Sequence, residues 1–196
     1  MKRRIQHIVE HERKVKSFVK GTFDEKRILE DLEKIRSKTS SDLSLKGLLF
    51  GVKDIINVDG YPTRCGSLLP HELFKGLQAN CVSKLLNAGA IFAGKTVTAE
   101  FAVSDPGETR NPRNLSYTPG GSSSGSAASV AAGFCDIAIG TQTSGSVIRP
   151  AGYCGTIGYK PSFGRISRDG VLLFSNSMDH IGIFAKDLNL LEKVLP

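Results

Sequence analysis

The sequence contains no apolar run that approaches the ~20 residues needed by a membrane-spanning helix. Its first 20 residues start with basic side chains, yet they contain no apolar stretch like the core of a signal peptide. Glu10 and Glu12 in the same segment also argue against a transit peptide. We therefore expect a cytoplasmic protein that does not insert into a membrane.

Metal-binding patterns are missing as well. The four cysteines form no C-x-x-C pair, and the four histidines show no metal-ligand spacing with the cysteines or with carboxylates. These residues are Cys65, Cys81, Cys135, Cys154, His7, His11, His71 and His180. We expect no metal and no cofactor, and we predict that Cys135 and Cys154 are small buried apolar residues.

The net charge of +7 is concentrated at the N-terminus. Residues 1–20 hold seven Lys or Arg against two Glu, and so carry five of the seven net positive charges. The segment has no aromatic-rich RNA-binding signature beside it. We interpret these charges as the solvent-exposed face of an N-terminal helix, and nucleic acid is not an expected partner.

The chain has the composition of a globular protein with a core, since 40% of its 196 residues are hydrophobic and 23% are charged. Short strands alternate with helices, which indicates the α/β class. The predicted helices are 1–20, 23–37, 80–88, an Ala-rich segment ending near 133, 188–196, and one starting at Thr98. The predicted strands are 48–58, 90–96 and 136–141, with a turn at 59–62 and loops at 38–47, 104–114 and 142–155.

The segment TPGGSSSGSAASVAAG, residues 118–133, could be a linker, a phosphate-binding loop or a catalytic loop. Structured segments are predicted on both sides, which disfavours a linker. A P-loop needs a lysine after its glycines, and none follows here. Anion binding at the start of the following helix stays open as an alternative.

A nucleophilic serine needs a base and a set of donors for an oxyanion. The only histidine downstream of the segment is His180, and no α/β-hydrolase order surrounds it. A lysine made basic by burial is the remaining choice. Lys53, within an apolar strand, is the best candidate, whereas a strand-edge lysine exposed to solvent is the alternative that composition alone favours.

A resemblance resolves this choice. From Gly51 to about Gly182 the chain resembles the amidase signature family of serine hydrolases, over about two-thirds of its length. The matching motifs, in order, are GVKD, GAIFAGKT, NPRN, TPGGSSSGSAASVAAG, GTQTSGSVIRPAGYCGTIGYKP and GRIS. The resemblance implies a mixed central β-sheet flanked by helices, with residues 1–37 as N-terminal helices and 51–182 as the signature core. Residues 1–196 would form a single domain that is truncated on its C-terminal side.

The resemblance also implies a Ser–cis-Ser–Lys triad that hydrolyses an amide and releases ammonia through an acyl-serine intermediate. Ser146 matches the nucleophile, and Ser122 matches the bridging serine, whose peptide bond is cis in the family. Lys53 matches the general base, so a proton can pass from Ser146 to Ser122 and on to Lys53.

The same resemblance assigns the loop Thr143, Ser144, Gly145 and Ser146 to the oxyanion hole, formed by backbone N–H groups. Ser123 is expected to support Lys53 and this loop by hydrogen bonding.

Two positions of that loop depart from the family pattern GTDTGGS, which reads GTQTSGS here. Gln142 replaces the aspartate, a change that also occurs in the malonamidase-like branch. Ser144 replaces a glycine, and a positive φ at Ser144 would leave the oxyanion loop strained or shifted.

Arg149, three residues after the nucleophile, resembles the malonamidase-like branch, in which this arginine binds a substrate carboxylate. A structural arginine that holds the loop is the alternative. The other candidate branch is the A subunit of glutaminyl-tRNA amidotransferase: GRISRDG and SMDHIG favour it, whereas GTQT and SVIRP do not.

Members of the family are considerably longer than this chain. The expected substrate is a small-molecule amide, with or without a carboxylate. A homo-oligomer or a complementing subunit is an expected partner. An inactive truncated amidase that serves as a binding or regulatory fragment is the non-enzymatic alternative.

Overall fold

The computed structural model describes residues 1–37 and 43–195. Residues 38–42 of the predicted loop 38–47 and residue 196 of the predicted last helix lie outside the described residues. The α-helices are α1 Lys2–Val15, α2 Glu25–Ser37, α3 Asn80–Asn87, α4 Ser124–Ala131, α5 Ile148–Cys154 and α6 Leu188–Val194. The strands are β1 Leu49–Lys53, β2 Ile91–Thr96, β3 Ile137–Gln142, β4 Ile157–Tyr159 and β5 His180–Ala185, and short 3-10 helices cover His71–Phe74 and Glu100–Ala102.

The five strands form one mixed sheet in the order β2-β1-β3-β5-β4. β1 runs parallel to both β2 and β3, whereas β5 is antiparallel to β3 and β4. Every residue of β1, β2 and β3 is buried, as expected for strands covered on both faces by helices. The predicted α/β class, with a mixed central sheet flanked by helices, is confirmed.

Successive residues of each strand point to opposite faces of the sheet, and this alternation builds two hydrophobic layers. Leu49 of β1 packs in the layer with α1, α2 and α4, whereas the next residue, Phe50, packs in the layer with α3 and α6. The helices contribute apolar stripes to these layers, such as Ile28, Leu32 and Ile35 of α2. Among the described residues, no helix is both long and apolar enough to cross a membrane.

The first helix is shorter than predicted and ends at Val15 instead of residue 20. Lys16 has a left-handed backbone with φ 54°. The Glu12 carboxylate then accepts hydrogen bonds from the Phe18 N–H (2.6 Å) and the Ser17 hydroxyl (2.7 Å). These bonds turn the chain away from the helix axis, so that Phe18 forms a bridge with β2.

The first strand is also shorter than predicted, because the N–H groups of Ile55 and Ile56 both bond to the carbonyl of Lys53 and close a turn. The predicted turn near residues 59–62 is present, since Tyr61 N–H donates to Val58 O at 3.1 Å. The helix expected from Thr98 is wrong: only the 3-10 helix Glu100–Ala102 forms there, with left-handed φ angles at its last two residues.

The predicted loop 142–155 contains α5, which the sequence reasoning missed. Pro150 and Gly152 argue against a helix in the sequence. Pro150 lies in the first turn of α5, where a missing N–H costs little. Gly155 ends the helix in a left-handed conformation with φ 68°.

Candidate functional site

The predicted site residues come together at the carboxyl ends of the parallel strands β1 and β3. Lys53 is the last residue of β1, and the loop 143–146 follows β3 directly. The segment 120–123 leads into α4 beside them. An open cleft of about 600 Å³ lies over this edge of the sheet, and both Ser122 and Ser146 line it. Ligand sites at the carboxyl ends of strands are common in sheets of this type.

Lys53 is completely buried, because β1 lies between β2 and β3. Its Nζ donates to Ser122 Oγ at 2.8 Å and to Thr141 Oγ1 at 2.9 Å. Burial lowers the pKa of Lys53 to about 7, an effect that the carboxylate of Asp179 opposes. The lysine is therefore buried among hydroxyls and is not an exposed strand-edge residue.

Ser122 is completely buried and receives the hydrogen bond from Lys53. The peptide bond between Gly121 and Ser122 is cis, as the family resemblance implied. The carbonyl oxygen of Ser122 accepts a hydrogen bond from Ala99 N–H at 3.0 Å. The side chain and the carbonyl of Ser122 are thus both anchored near the end of the sheet.

Ser123 joins the start of α4 to the end of β3. Its hydroxyl donates to Thr141 O at 3.1 Å and accepts from Thr141 N–H at 3.3 Å. Its N–H donates to the carbonyl of Ser146 at 3.4 Å. A Cβ on Gly140 would lie 2.7 Å from Ser123 Oγ, so only glycine allows this close approach. Ser123 therefore holds Thr141 and the loop 143–146 in place, and Thr141 itself contacts Lys53.

The loop 143–146 presents a row of backbone donors beside the cleft. Within the described chain, the N–H groups of residues 143–146 donate no hydrogen bond to the protein. Gln142 Oε1 accepts the next two N–H groups, those of Val147 (2.8 Å) and Ile148 (3.0 Å). The glutamine that replaces the family aspartate therefore caps the start of α5.

Ser144 is exposed and does not adopt a positive φ. The strain that such an angle would have caused in the loop is therefore not present. Ser146 is 7% exposed, and its hydroxyl makes no hydrogen bond to any residue in the described ranges. That hydroxyl is free to contact a molecule in the cleft.

Arg149 lies at the rim of the cleft. Its Nε and Nη2 both donate to the carbonyl of Gly121, at 3.0 and 2.8 Å. The sequence analysis gave two alternative roles for Arg149: binding a substrate carboxylate, or holding the loop. The bonds to Gly121 O are of the second kind. They fix the oxygen of the peptide bond that leads into Ser122.

The sequence reasoning missed two residues of the site. Thr141, the second acceptor for Lys53, had no signal beyond a threonine in a predicted strand. Asp179 is 4% exposed, and its carboxylate accepts from the Thr143 hydroxyl and from the N–H groups of Phe174 and Ser175. The motif SMDHIG contains this aspartate, but in the sequence that motif indicates only the family branch.

Metal ligands do not gather in the described part of the chain, where no group of three His, Cys, Asp or Glu side chains could hold an ion. All four cysteines are buried, which confirms the expectation for Cys135 and Cys154. Burial raises the pKa of the Cys154 thiol to about 12. These thiols are packing residues.

Comparison with known proteins identifies the family. The family model described as Amidase matches residues 2–195. The A subunit of glutamyl-tRNA(Gln) amidotransferase from Salinibacter ruber is 49% identical over 144 residues, which are 70% of this chain and 28% of that protein. The chain thus spans well under half the length of this relative.

Two solved structures show the same fold. The native peptide amidase of Stenotrophomonas maltophilia matches with a TM-score of 0.83 and 33% identity, over 94% of this chain and 40% of that one. The A subunit of glutamyl-tRNA(Gln) amidotransferase from Thermotoga maritima matches with a TM-score of 0.84 and 32% identity, over 99% and 42%.

Proposed function

The chain belongs to the amidase family, and from this premise we propose that it hydrolyses a carbon–nitrogen amide bond at the cleft beside Ser146. The observation that carries the proposal is the hydrogen bond between the buried Lys53 and Ser122 (2.8 Å). A lysine with a pKa of about 7 is half neutral at physiological pH and can then accept a proton.

In the proposed mechanism, the oxygen of Ser146 attacks the carbonyl carbon of the amide. The Ser146 hydroxyl, which makes no hydrogen bond in the described ranges, must first turn toward Ser122; its proton then passes to Ser122, whose own proton passes to neutral Lys53. The tetrahedral intermediate then breaks its C–N bond, and the proton returns through Ser122 to the leaving nitrogen, which departs as ammonia. Water attacks the acyl-Ser146 ester by the same relay and releases a carboxylic acid, which restores the serine.

The free N–H groups of residues 143–146 are the proposed donors to the oxyanion. Losing one such donor typically lowers a rate by ~10²–10³. Ser123 and Gln142 keep this loop in place from its two sides. In this proposal the oxyanion is bound by backbone N–H groups, so a serine side chain at position 144 does not remove a donor.

The proposed substrate is a small primary amide. Apolar side chains on the cleft include Val103, Phe174 and Met178, and Arg149 provides a positive charge at the rim. A guanidinium group pairs well with a carboxylate. We therefore propose that an amide bearing a carboxylate, such as malonamate, binds with its carboxylate toward Arg149.

The test uses a fluorophosphonate probe, which phosphonylates an activated serine. We expect the wild-type chain to be labelled at Ser146 and Ser146→Ala to be unlabelled. Ser162→Ala, which removes an exposed serine away from the cleft, is the matched control and should label normally. Persistent labelling of Ser146→Ala would refute the nucleophile assignment.

A second candidate is an ammonia-generating A subunit of a tRNA amidotransferase, favoured by the 49% identity to the Salinibacter ruber protein. It requires complementing subunits. Lack of glutaminase activity when such subunits are added would count against it. A cooperative melt of the chain together with ammonia release from malonamate would eliminate the alternative of an inactive fragment.

A further inference from the structure

Asp179 links the loop 143–146 to the segment 174–175, which also borders the cleft. One carboxylate oxygen, Oδ1, accepts the Thr143 hydroxyl at 2.5 Å. The other, Oδ2, accepts the N–H groups of Phe174 and Ser175 at 2.6 and 2.9 Å. The residue lies directly before β5, and its own N–H donates to Ser175 O at 3.1 Å. One buried side chain therefore connects two separate parts of the site, the loop 143–146 and the segment 174–175.

Each connected part borders the cleft. Thr143 begins the loop of proposed oxyanion donors, and Phe174 and Met178 line the same cleft. Because Asp179 bonds to Thr143 and to Phe174, its carboxylate ties two lining segments of the cleft together.

We propose that Asp179 is a positioning residue, which holds the oxyanion loop through Thr143 and sets the charge around Lys53. This inference rests on the proposed function, since it concerns the same site. It assigns to Asp179 no contact with the substrate.

The effect of the Asp179 charge on Lys53 follows from the charged groups around both residues. Burial lowers the pKa of Lys53, and the negative charge of Asp179 raises it again in part. Two other ionisable groups lie next to Asp179: Arg168 donates to its carbonyl at 3.4 Å, and His180 follows it and contacts Met178 O. Removing the Asp179 charge therefore lowers the pKa of Lys53 further.

Two variants separate the hydrogen bond from the charge. Thr143→Val removes the hydroxyl that bonds to Asp179 and leaves every charge in place. Asp179→Asn keeps an acceptor for the two N–H groups and turns its NH2 toward the Thr143 hydroxyl, so the contacts remain while the charge is lost. Thr22→Val, which loses a buried hydroxyl bond away from the cleft, is the matched control.

The first measurement is the rate of fluorophosphonate labelling as a function of pH. We expect Thr143→Val to label more slowly, by up to ~100-fold, as for a misplaced catalytic group. Its pH profile should keep the wild-type midpoint. Asp179→Asn should shift the rising part of the profile to lower pH, an effect that a purely structural role would not produce. Thr22→Val should match the wild type.

The second measurement is amide hydrogen exchange of Val147 and Ile148, whose N–H groups are hydrogen-bonded to Gln142 at the end of the loop, and it needs no activity. Thr143→Val should exchange there about 5- to 10-fold faster than wild type, as expected when one hydrogen bond is lost. If wild type fails to label at Ser146, the proposed function fails and exchange still tests the Thr143–Asp179 contact. If wild type labels normally but neither variant changes the rate, the pH midpoint or the exchange, the inference about Asp179 is overturned.

Discussion

Replacing Lys53 by methionine should change how the stability of the protein depends on pH. Burial lowers the pKa of Lys53 from 10.5 in an unfolded chain to about 7 in the folded protein. Below pH 7 both states bind the proton, so the folded state bears the full cost of a buried charge. Between pH 7 and 10.5 only the unfolded state keeps the proton, so stability rises with pH. Above that interval neither state is protonated.

The size of this effect follows from the pKa difference. Each pH unit within the interval adds ~1.4 kcal/mol to the free energy of unfolding, or ~5 kcal/mol over the whole interval. Met at position 53 carries no charge and removes this dependence. It also removes the hydrogen bonds to Ser122 and Thr141, worth ~1 kcal/mol each at any pH. Lys53→Met should thus be more stable than wild type at pH 6 by ~3 kcal/mol and less stable above about pH 9.

Urea unfolding followed by circular dichroism at several values between about pH 6 and 10 measures this difference. Groups other than Lys53 are present in both proteins, so their titration cancels when the two free energies are subtracted. Lys14→Met, an exposed position in the last turn of α1, controls for the loss of a lysine as such. A difference between wild type and Lys53→Met that stays constant across this range would refute the lowered pKa. It would also remove the main support for Lys53 as the base.

Two further predictions concern Arg149, at the rim of the cleft, and the buried Lys95. Arg149→Gln should lower kcat/KM for malonamate ~10- to 100-fold more than for propionamide, because only malonamate has a carboxylate to bind; equal losses would show that Arg149 acts only by holding Gly121. Lys95→Met should lower the free energy of unfolding by ~3–5 kcal/mol, because it leaves the buried Asp54 unpaired. The double variant Asp54→Asn/Lys95→Met should recover most of this loss in urea unfolding, and no recovery would contradict the pairing.

The sequence predicts the parts of the site whose signal is local. Lys53, Ser122 and the loop 143–146 lie in motifs, and strands such as β2 and β3 have apolar runs that match their observed bounds within one residue. The strands follow from neighbouring residues, whereas Lys53, Ser122 and the loop were assigned by the family resemblance of those motifs; composition alone favoured an exposed Lys53. The backbone of Ser144 does not adopt a positive φ, although the glycine of the family pattern suggested one.

Some of the missed features depend on contacts between distant residues. The bond between Thr143 and Asp179 joins residues 36 positions apart, and no spacing rule in the sequence indicates it. The early end of α1 is a missed feature of local origin, since the Glu12 carboxylate bonds to Phe18 N–H only six residues later. α5 forms although Pro150 and Gly152 disfavour it, because tertiary packing outweighs local propensity.

Two lysines of the described chain, Lys53 and Lys95, are completely buried at the same end of the sheet, and burial lowers the pKa of both. Their partners differ. Lys95 Nζ lies 3.0 Å from the carboxylate of Asp54, so its positive charge has a direct counterion. Within residues 1–37 and 43–195, Lys53 Nζ bonds to the hydroxyls of Ser122 and Thr141 alone, and Asp179 acts on it from beyond ion-pair distance. A buried ammonium without a direct counterion releases its proton more readily. Asp54 thus raises the pKa of Lys95 against the effect of burial, whereas Asp179 opposes that effect at Lys53 without a direct contact, and the pKa of about 7 suits the proposed relay through Ser122.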